Sequence, residues 1–95
     1  MTILLHENQC MAQTPKGTIH LTPKEYDILD YLMKNSEKCV SPEELYSEVW
    51  SAVPFNCRPV VAVHIRHIRE KIEPNPSRPK YLKRIFGEGY RYVNE

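Results

Sequence analysis

The sequence predicts an α+β fold in which a small antiparallel sheet leads into three helices and a C-terminal β-hairpin. Three observations predict it. Two proline-bearing helix starts follow one another, Thr22-Pro23-Lys24-Glu25 and Ser41-Pro42-Glu43-Glu44. A third apolar set, Val61, Ile65, Ile68 and Ile72, recurs at helical spacing. β-rich segments lie before and after these helices, and the last two bracket a turn holding two glycines. At 95 residues the chain has the size of one domain, 1–95. A chain of this length buries roughly two-thirds of its unfolded surface, enough for a core without disulfides.

The N-terminal strands occupy 1–21. Residues 2–6 are β-rich, Glu7-Asn8 is a turn, and residues 9–13 return. Thr14-Pro15-Lys16-Gly17 is a second turn, and residues 18–21 form a third short run, which completes a meander. The helical core spans 22–73. In the first helix Thr22 caps, Pro23 takes the first helical position, and Glu25 reaches back as a capping box. Tyr26, Leu29, Leu32 and Met33 face the core, and Asn35-Ser36 ends the helix. After a short connection the second helix repeats the capping box at Ser41 and Glu44, with Leu45, Val49 and Trp50 as its apolar face. Trp50 reads as a core or loop anchor. A loop containing Pro54 follows.

The third helix is expected from near Pro59 to about Ile72, a span of 59–72. Its core stripe is Val61, Ile65, Ile68 and Ile72, and its opposite face carries Pro59, Val63, Arg66, His67 and Glu70. Glu73-Pro74-Asn75-Pro76-Ser77-Arg78-Pro79 breaks the helix. The wing spans 80–94, with strands at 81–85 and 90–93 and the turn Phe86-Gly87-Glu88-Gly89, where the glycines supply positive φ. Strands, three helices and a hairpin in this order make a winged helix-turn-helix.

Composition is that of a globular chain, 41% hydrophobic and 26% charged. No apolar run approaches the ~20 residues of a membrane helix, and residues 1–6 lack the features of a signal peptide. Three cysteines without framework spacing read as reduced thiols of a cytoplasmic protein, with Cys39 and Cys57 as small buried hydrophobes. The net charge of +1 hides an asymmetry. Residues 1–57 carry four Lys/Arg against eight Asp/Glu, and residues 58–95 carry nine against four. A basic C-terminal portion on an acidic body is the footprint of a polyanion binder.

Two features carry function. The third helix presents Val63, Arg66 and His67 outward from an apolar anchor. Such a helix fits the major groove, where arginine bonds guanine and a small apolar side chain meets a thymine methyl. Arg58 and Arg69 lie at its margins, where phosphates run. The hairpin gathers Lys80, Lys83, Arg84 and Arg91 around its turn, with Tyr81, Tyr90 and Tyr92 interleaved. It can lie on a phosphate backbone or enter a minor groove. No nucleophile has a base partner, and no glycine loop cradles phosphate, so no catalytic residue is assigned. His64 and His67 lack the CxxC or HxxxH company that zinc requires, so neither metal nor cofactor is expected. The alternative is a winged-helix module that binds protein through apolar Val60, Val63 and Phe86.

Leu21-Thr22-Pro23-Lys24-Glu25-Tyr26, Val63-His64-Ile65-Arg66-His67-Ile68-Arg69-Glu70-Lys71-Ile72 and Gly87-Glu88-Gly89-Tyr90-Arg91-Tyr92 resemble, in order and spacing, three signature stretches of the OmpR/PhoB-type effector domain. This is the winged-helix DNA-binding domain of bacterial two-component response regulators, and the resemblance covers essentially the whole chain. It implies a four-stranded N-terminal sheet, transcriptional regulation through promoter or operator DNA, and a protein that is a monomer when free and paired on directly repeated half-sites. It implies DNA contacts from Arg58, Val60, Val63, His64, Arg66, His67, Arg69, Arg84 and Tyr90. It also implies that Ser51, Ala52, Val53, Pro54, Phe55, Asn56 and Cys57 form a loop that touches RNA polymerase, and that no membrane is involved. Family members carry a receiver domain ahead of this one, so the chain is expected to be an excised or a stand-alone effector. It departs from the family pattern where Pro59 and Val60 replace a polar or basic residue, Ala62 an acidic one, His67 a second arginine and Phe86 the wing arginine. Arg58, Arg66, Arg69 and Arg84 are therefore expected to share the electrostatic work.

Overall fold

The computed structural model describes residues 3–94. Thr2, assigned from sequence to the first strand, lies outside the described residues, as do Met1 and Glu95. The elements in order are β1 (Leu4–His6), β2 (Met11–Thr14), β3 (Gly17–His20), α1 (Pro23–Lys34), α2 (Pro42–Trp50), α3 (Arg58–Ile72), β4 (Leu82–Ile85) and β5 (Gly89–Tyr92). The expected α+β order is the one observed.

β1, β2 and β3 form an antiparallel sheet in that order, with Leu5 opposite Ala12 and Ala12 opposite Ile19. A single 3-10 turn at Glu7–Gln9 links β1 to β2 and closes on Cys10 in the left-handed region. The Thr14 hydroxyl closes the next turn, donating to the Gly17 carbonyl and accepting from the Lys16 N–H. The resemblance implies four strands here, but among the described residues this sheet has three. Only two turns fit between residue 3 and the Thr22 cap, which commits the chain to a helix. The remaining extended segment pairs elsewhere. Val40, between α1 and α2, bridges Tyr90 of β5 through reciprocal hydrogen bonds of 2.8 and 2.9 Å.

Both arms of the first capping box form, Glu25 N–H to Thr22 Oγ1 at 3.2 Å and Thr22 N–H to Glu25 Oε1 at 2.9 Å. The buried stripe of α1 includes Ile28, while Met33 is only partly buried. Ile28 stands one turn before Leu32, which places it on the core line. The second capping box is half formed. Ser41 Oγ accepts from the Glu44 N–H, but the Glu44 carboxylate turns to the Tyr31 hydroxyl at 2.5 Å and lies 3.8 Å from Lys38. The bond to Glu44, with burial, pushes the Tyr31 hydroxyl up to about 12. Trp50 is a half-buried anchor: it stacks on Tyr46 with ring centroids 4.8 Å apart, and Lys24 Nζ lies 5.4 Å from the ring centroid.

Val61, Ile65, Ile68 and Ile72 of α3 are all buried, as their spacing predicts. They join Ile3 and Ala12 of the sheet side, Ile28, Leu29 and Leu32 of α1, Leu45 of α2, and Tyr81, Leu82 and Tyr92 of the wing in one core. Each fully buried aliphatic side chain contributes roughly 1.5–3 kcal/mol. Among the described residues no helix is long and apolar enough to cross a membrane.

The C-terminal end of α3 is knitted to the rest of the fold. Glu73, fully buried, accepts from three backbone N–H groups, Lys80 at 2.7 Å, Tyr81 at 3.1 Å and Leu82 at 2.8 Å. Arg69 Nε donates to the Leu82 carbonyl at 2.9 Å, so both polar groups of one β4 residue are held by α3 and its cap. Lys71 Nζ meets Glu25 Oε1 at 2.6 Å, and Lys16 Nζ donates to the Glu70 carbonyl at 2.8 Å.

The hairpin turn is Phe86-Gly87-Glu88, closed by Glu88 N–H to Ile85 O at 2.9 Å, with Gly87 at φ 76°. Gly89 lies in β5 opposite Ile85, not in the turn. Its role is close approach: a Cβ there would stand 2.1 Å from the Val40 carbonyl oxygen.

Candidate nucleic-acid interface

The face of α3 opposite the core is set by helical periodicity. Pro59, Ala62, Val63 and Arg66 fall at i, i+3, i+4 and i+7, and all four are exposed. Val60 and Val63 are 40% and 44% exposed, high for β-branched apolar side chains. Arg66 forms no hydrogen bond or ion pair among the described residues. Glu70 is exposed and His67 partly so.

Arg58 begins α3 and is bound by Glu43 of α2 through Nε at 2.8 Å and Nη2 at 3.1 Å. That bond raises the Arg58 pKa and lowers that of Glu43. The pair is exposed and so adds little to stability, but it occupies one edge of the guanidinium. The N-terminus of α3 has no side-chain cap and no acidic residue in its first turn.

His64 is tied down on both sides. Its Nδ1 lies 2.8 Å from the Val60 carbonyl, and its ring meets Trp50 edge-on at 5.1 Å. Arg69, assigned from sequence to a phosphate-facing margin, is half-buried and donates to Leu82. Burial lowers its pKa from the usual arginine value, although arginine stays charged. Its guanidinium lies 6.0 Å from the Tyr90 ring centroid. Tyr90 in turn is 7% exposed and lines the space between the start of α3 and the hairpin turn. The cause of its burial is the Val40 bridge, which draws β5 against the connection between α1 and α2.

On the hairpin, Lys83 and Arg84 are exposed and Arg91, opposite Lys83, is partly buried. Arg84 faces the Phe86 ring at 5.8 Å, and Phe86 at the apex is 89% exposed. A groove of about 270 Å³ runs between the two elements, with Arg58, Pro59 and Ala62 on one wall and Arg84, Gly87 and Glu88 on the other. The first residues of the outward α3 stripe, Pro59 and Ala62, and the hairpin cation Arg84 thus line one groove.

Residues 51–56 are all exposed, with Val53 and Phe55 prominent. Ser51 and Asn56, both left-handed, bracket the loop. Cys57, grouped with this loop from sequence, is instead buried under it, its Sγ 3.8 Å from the Pro42 carbonyl. Cys10 and Cys39 are partly exposed, so of the two cysteines expected to be buried only Cys57 is. Sequence reasoning missed Glu73 and Gly89, whose partners are backbone groups of other elements, and it missed Ala62 as part of the outward stripe.

Residues 16–92 match the family described as transcriptional regulatory protein, C terminal. The DNA-binding dual master transcriptional regulator RpaA of Synechocystis sp. is 41% identical over 73 residues, covering 77% of this chain and 30% of that protein. The regulatory protein VanR of Enterococcus faecium is 40% identical over 92 residues, covering 96% of this chain and 39% of that protein. The crystal structure of DrrB, a Thermotoga maritima response regulator and OmpR/PhoB homolog, superposes with a TM-score of 0.85 at 34% identity, covering 99% of this chain and 42% of that one. The chain spans about a third of the length of these relatives. It belongs to the family of C-terminal domains of transcriptional regulatory proteins, of the OmpR/PhoB type.

Proposed function

We propose that the chain is a sequence-specific duplex-DNA-binding unit of a transcriptional regulator, with α3 in the major groove and the hairpin on the adjacent backbone or minor groove. One observation carries this reading. α3 is buttressed by the core along one face and by the wing at its C-terminal end, while Pro59 and Ala62 of its opposite stripe and Arg84 of the hairpin line a common groove. A rigid helix with exposed small side chains and a free arginine suits base edges, and flanking cations suit phosphates. The DNA-binding description of RpaA agrees with it.

The finer features follow the same reading. The exposed loop 51–56, with Val53 and Phe55 outermost, is the proposed RNA polymerase contact. The protein is proposed to be cytoplasmic, monomeric when free and paired on directly repeated half-sites, within a bacterial two-component system. No catalytic role is assigned.

The test is the salt dependence of affinity for a labelled duplex. Arg66, Lys83 and Arg84 are exposed and outside any ion pair among the described residues. With Arg66 on a base edge, about two phosphate contacts, from Lys83 and Arg84, give a log–log slope near −2 for one domain. Exposure of Val60, Val63 and Phe86 favours a second reading, an apolar protein interface. That reading predicts no retained duplex and a partner affinity nearly independent of salt.

A further inference from the structure

Resting on the DNA-binding reading, we infer that the N-terminal half of α3 recognises thymine methyl groups, so that preferred duplexes carry thymines under Val60, Ala62 and Val63 with a guanine within reach of Arg66. The inventory of the helix carries the inference. Residues 58–69 contain no Asn, Gln, Ser, Thr, Lys, Asp or Glu. That stretch therefore lacks the amide that pairs with adenine N6 and N7, and the carboxylate that accepts from cytosine N4, Glu70 lying beyond it.

The polar side chains it does have are mostly committed. Arg58 is held by Glu43, Arg69 by Leu82, and His64 lies between the Val60 carbonyl and Trp50. His67 is partly buried, and Arg66 remains as the exposed donor, reaching from the C-terminal end of a stripe that is otherwise Pro59, Ala62 and Val63.

The major groove offers acceptors, donors and one apolar group, the thymine C5-methyl. An apolar side chain pressed on a base donor or acceptor strips its water and returns nothing, an unfavourable exchange. Pressed on a methyl, it buries apolar area on both partners. Val60 and Val63 are β-branched and hold one χ1 rotamer in a helix, so little side-chain entropy is lost on contact. The apolar surface also faces Arg84 across the groove, a cation complementary to phosphate.

The test uses duplexes selected by this chain from a random pool, in which each thymine is replaced singly by 2′-deoxyuridine. This removes the methyl and leaves every phosphate and hydrogen-bonding group in place. The expected result is a loss of about fourfold in affinity for each methyl under Val60 or Val63, with an unchanged salt slope. Val63→Ala should bind the thymine duplex more weakly and abolish the thymine–uracil difference at one position. Equal affinity for every deoxyuridine duplex, or selected half-sites without thymine, would overturn the methyl inference while leaving DNA binding intact. Retention of no duplex at low salt would overturn both.

Discussion

The two ends of α3 are built differently. The C-terminal end is fastened by polar contacts to other elements: Lys71 to Glu25, Arg69 to Leu82, the Glu70 carbonyl to Lys16, and the Glu73 cap to three N–H groups of the wing. The N-terminal end has no side-chain cap, and Pro59, Val60, Ala62 and Val63 are exposed. One helix thus has a foundation and an open face. The difference teaches that charge counting overstates the binding surface. Of the four basic residues of α3, Lys71 and Arg69 hold the fold together and Arg58 is paired, which leaves Arg66.

The largest break in this contrast comes at Glu73. Glu73→Ala orphans buried wing N–H groups and should cost about 3–5 kcal/mol, read as a fall in the urea midpoint. Val63→Ala at the open end should stay within about 0.5 kcal/mol of wild type. Gly89→Ala should follow at about 3 kcal/mol, because the new Cβ meets backbone of Val40 that no rotamer change can clear. Its signature is faster hydrogen exchange at the Val40 and Tyr90 amides.

Arg66→Ala should leave the urea midpoint unchanged and weaken selected-duplex affinity by about 1–3 kcal/mol, measured by fluorescence anisotropy. Arg69→Ala should show the reverse priority, with stability falling first. The smallest effect is pH dependence at Glu25. Burial raises its pKa, but hydrogen bonds from Lys71 and the Thr22 N–H outweigh burial and bring it below the usual glutamate value. A pKa depressed on folding gives stability that is present above the unfolded value and lost as pH falls through the folded one. Wild type should therefore lose more stability than Glu25→Gln between pH 5 and roughly pH 3, as urea midpoints will show.

The features legible in the sequence are those whose causes are local. Thr22 and Glu25 stand three residues apart, and the four buried residues of α3 repeat at helical spacing, so chain order alone places them. Periodicity likewise marks the outward face of α3, and the glycine turn between two β-rich runs marks the wing. Glu73, Arg69 and Gly89 were illegible because their partners lie on other elements, and a carboxylate, a guanidinium or a missing Cβ does not declare a distant backbone partner. Glu44 misled for a related reason: the local motif was sound, but a tertiary bond to Tyr31 took its carboxylate. The burial of Tyr90 was illegible likewise, because chain order does not reveal that Val40 pairs with it.

The most direct measurement is an amide-shift map of the labelled chain titrated with a random-sequence duplex pool at low and moderate salt. The open-end account predicts shifts in residues 58–67 and 83–88 that fade as salt rises, with residues 69–73 moving little. Shifts centred on 69–73 or on the loop 51–56, or no shifts at low salt in a folded protein, would contradict it.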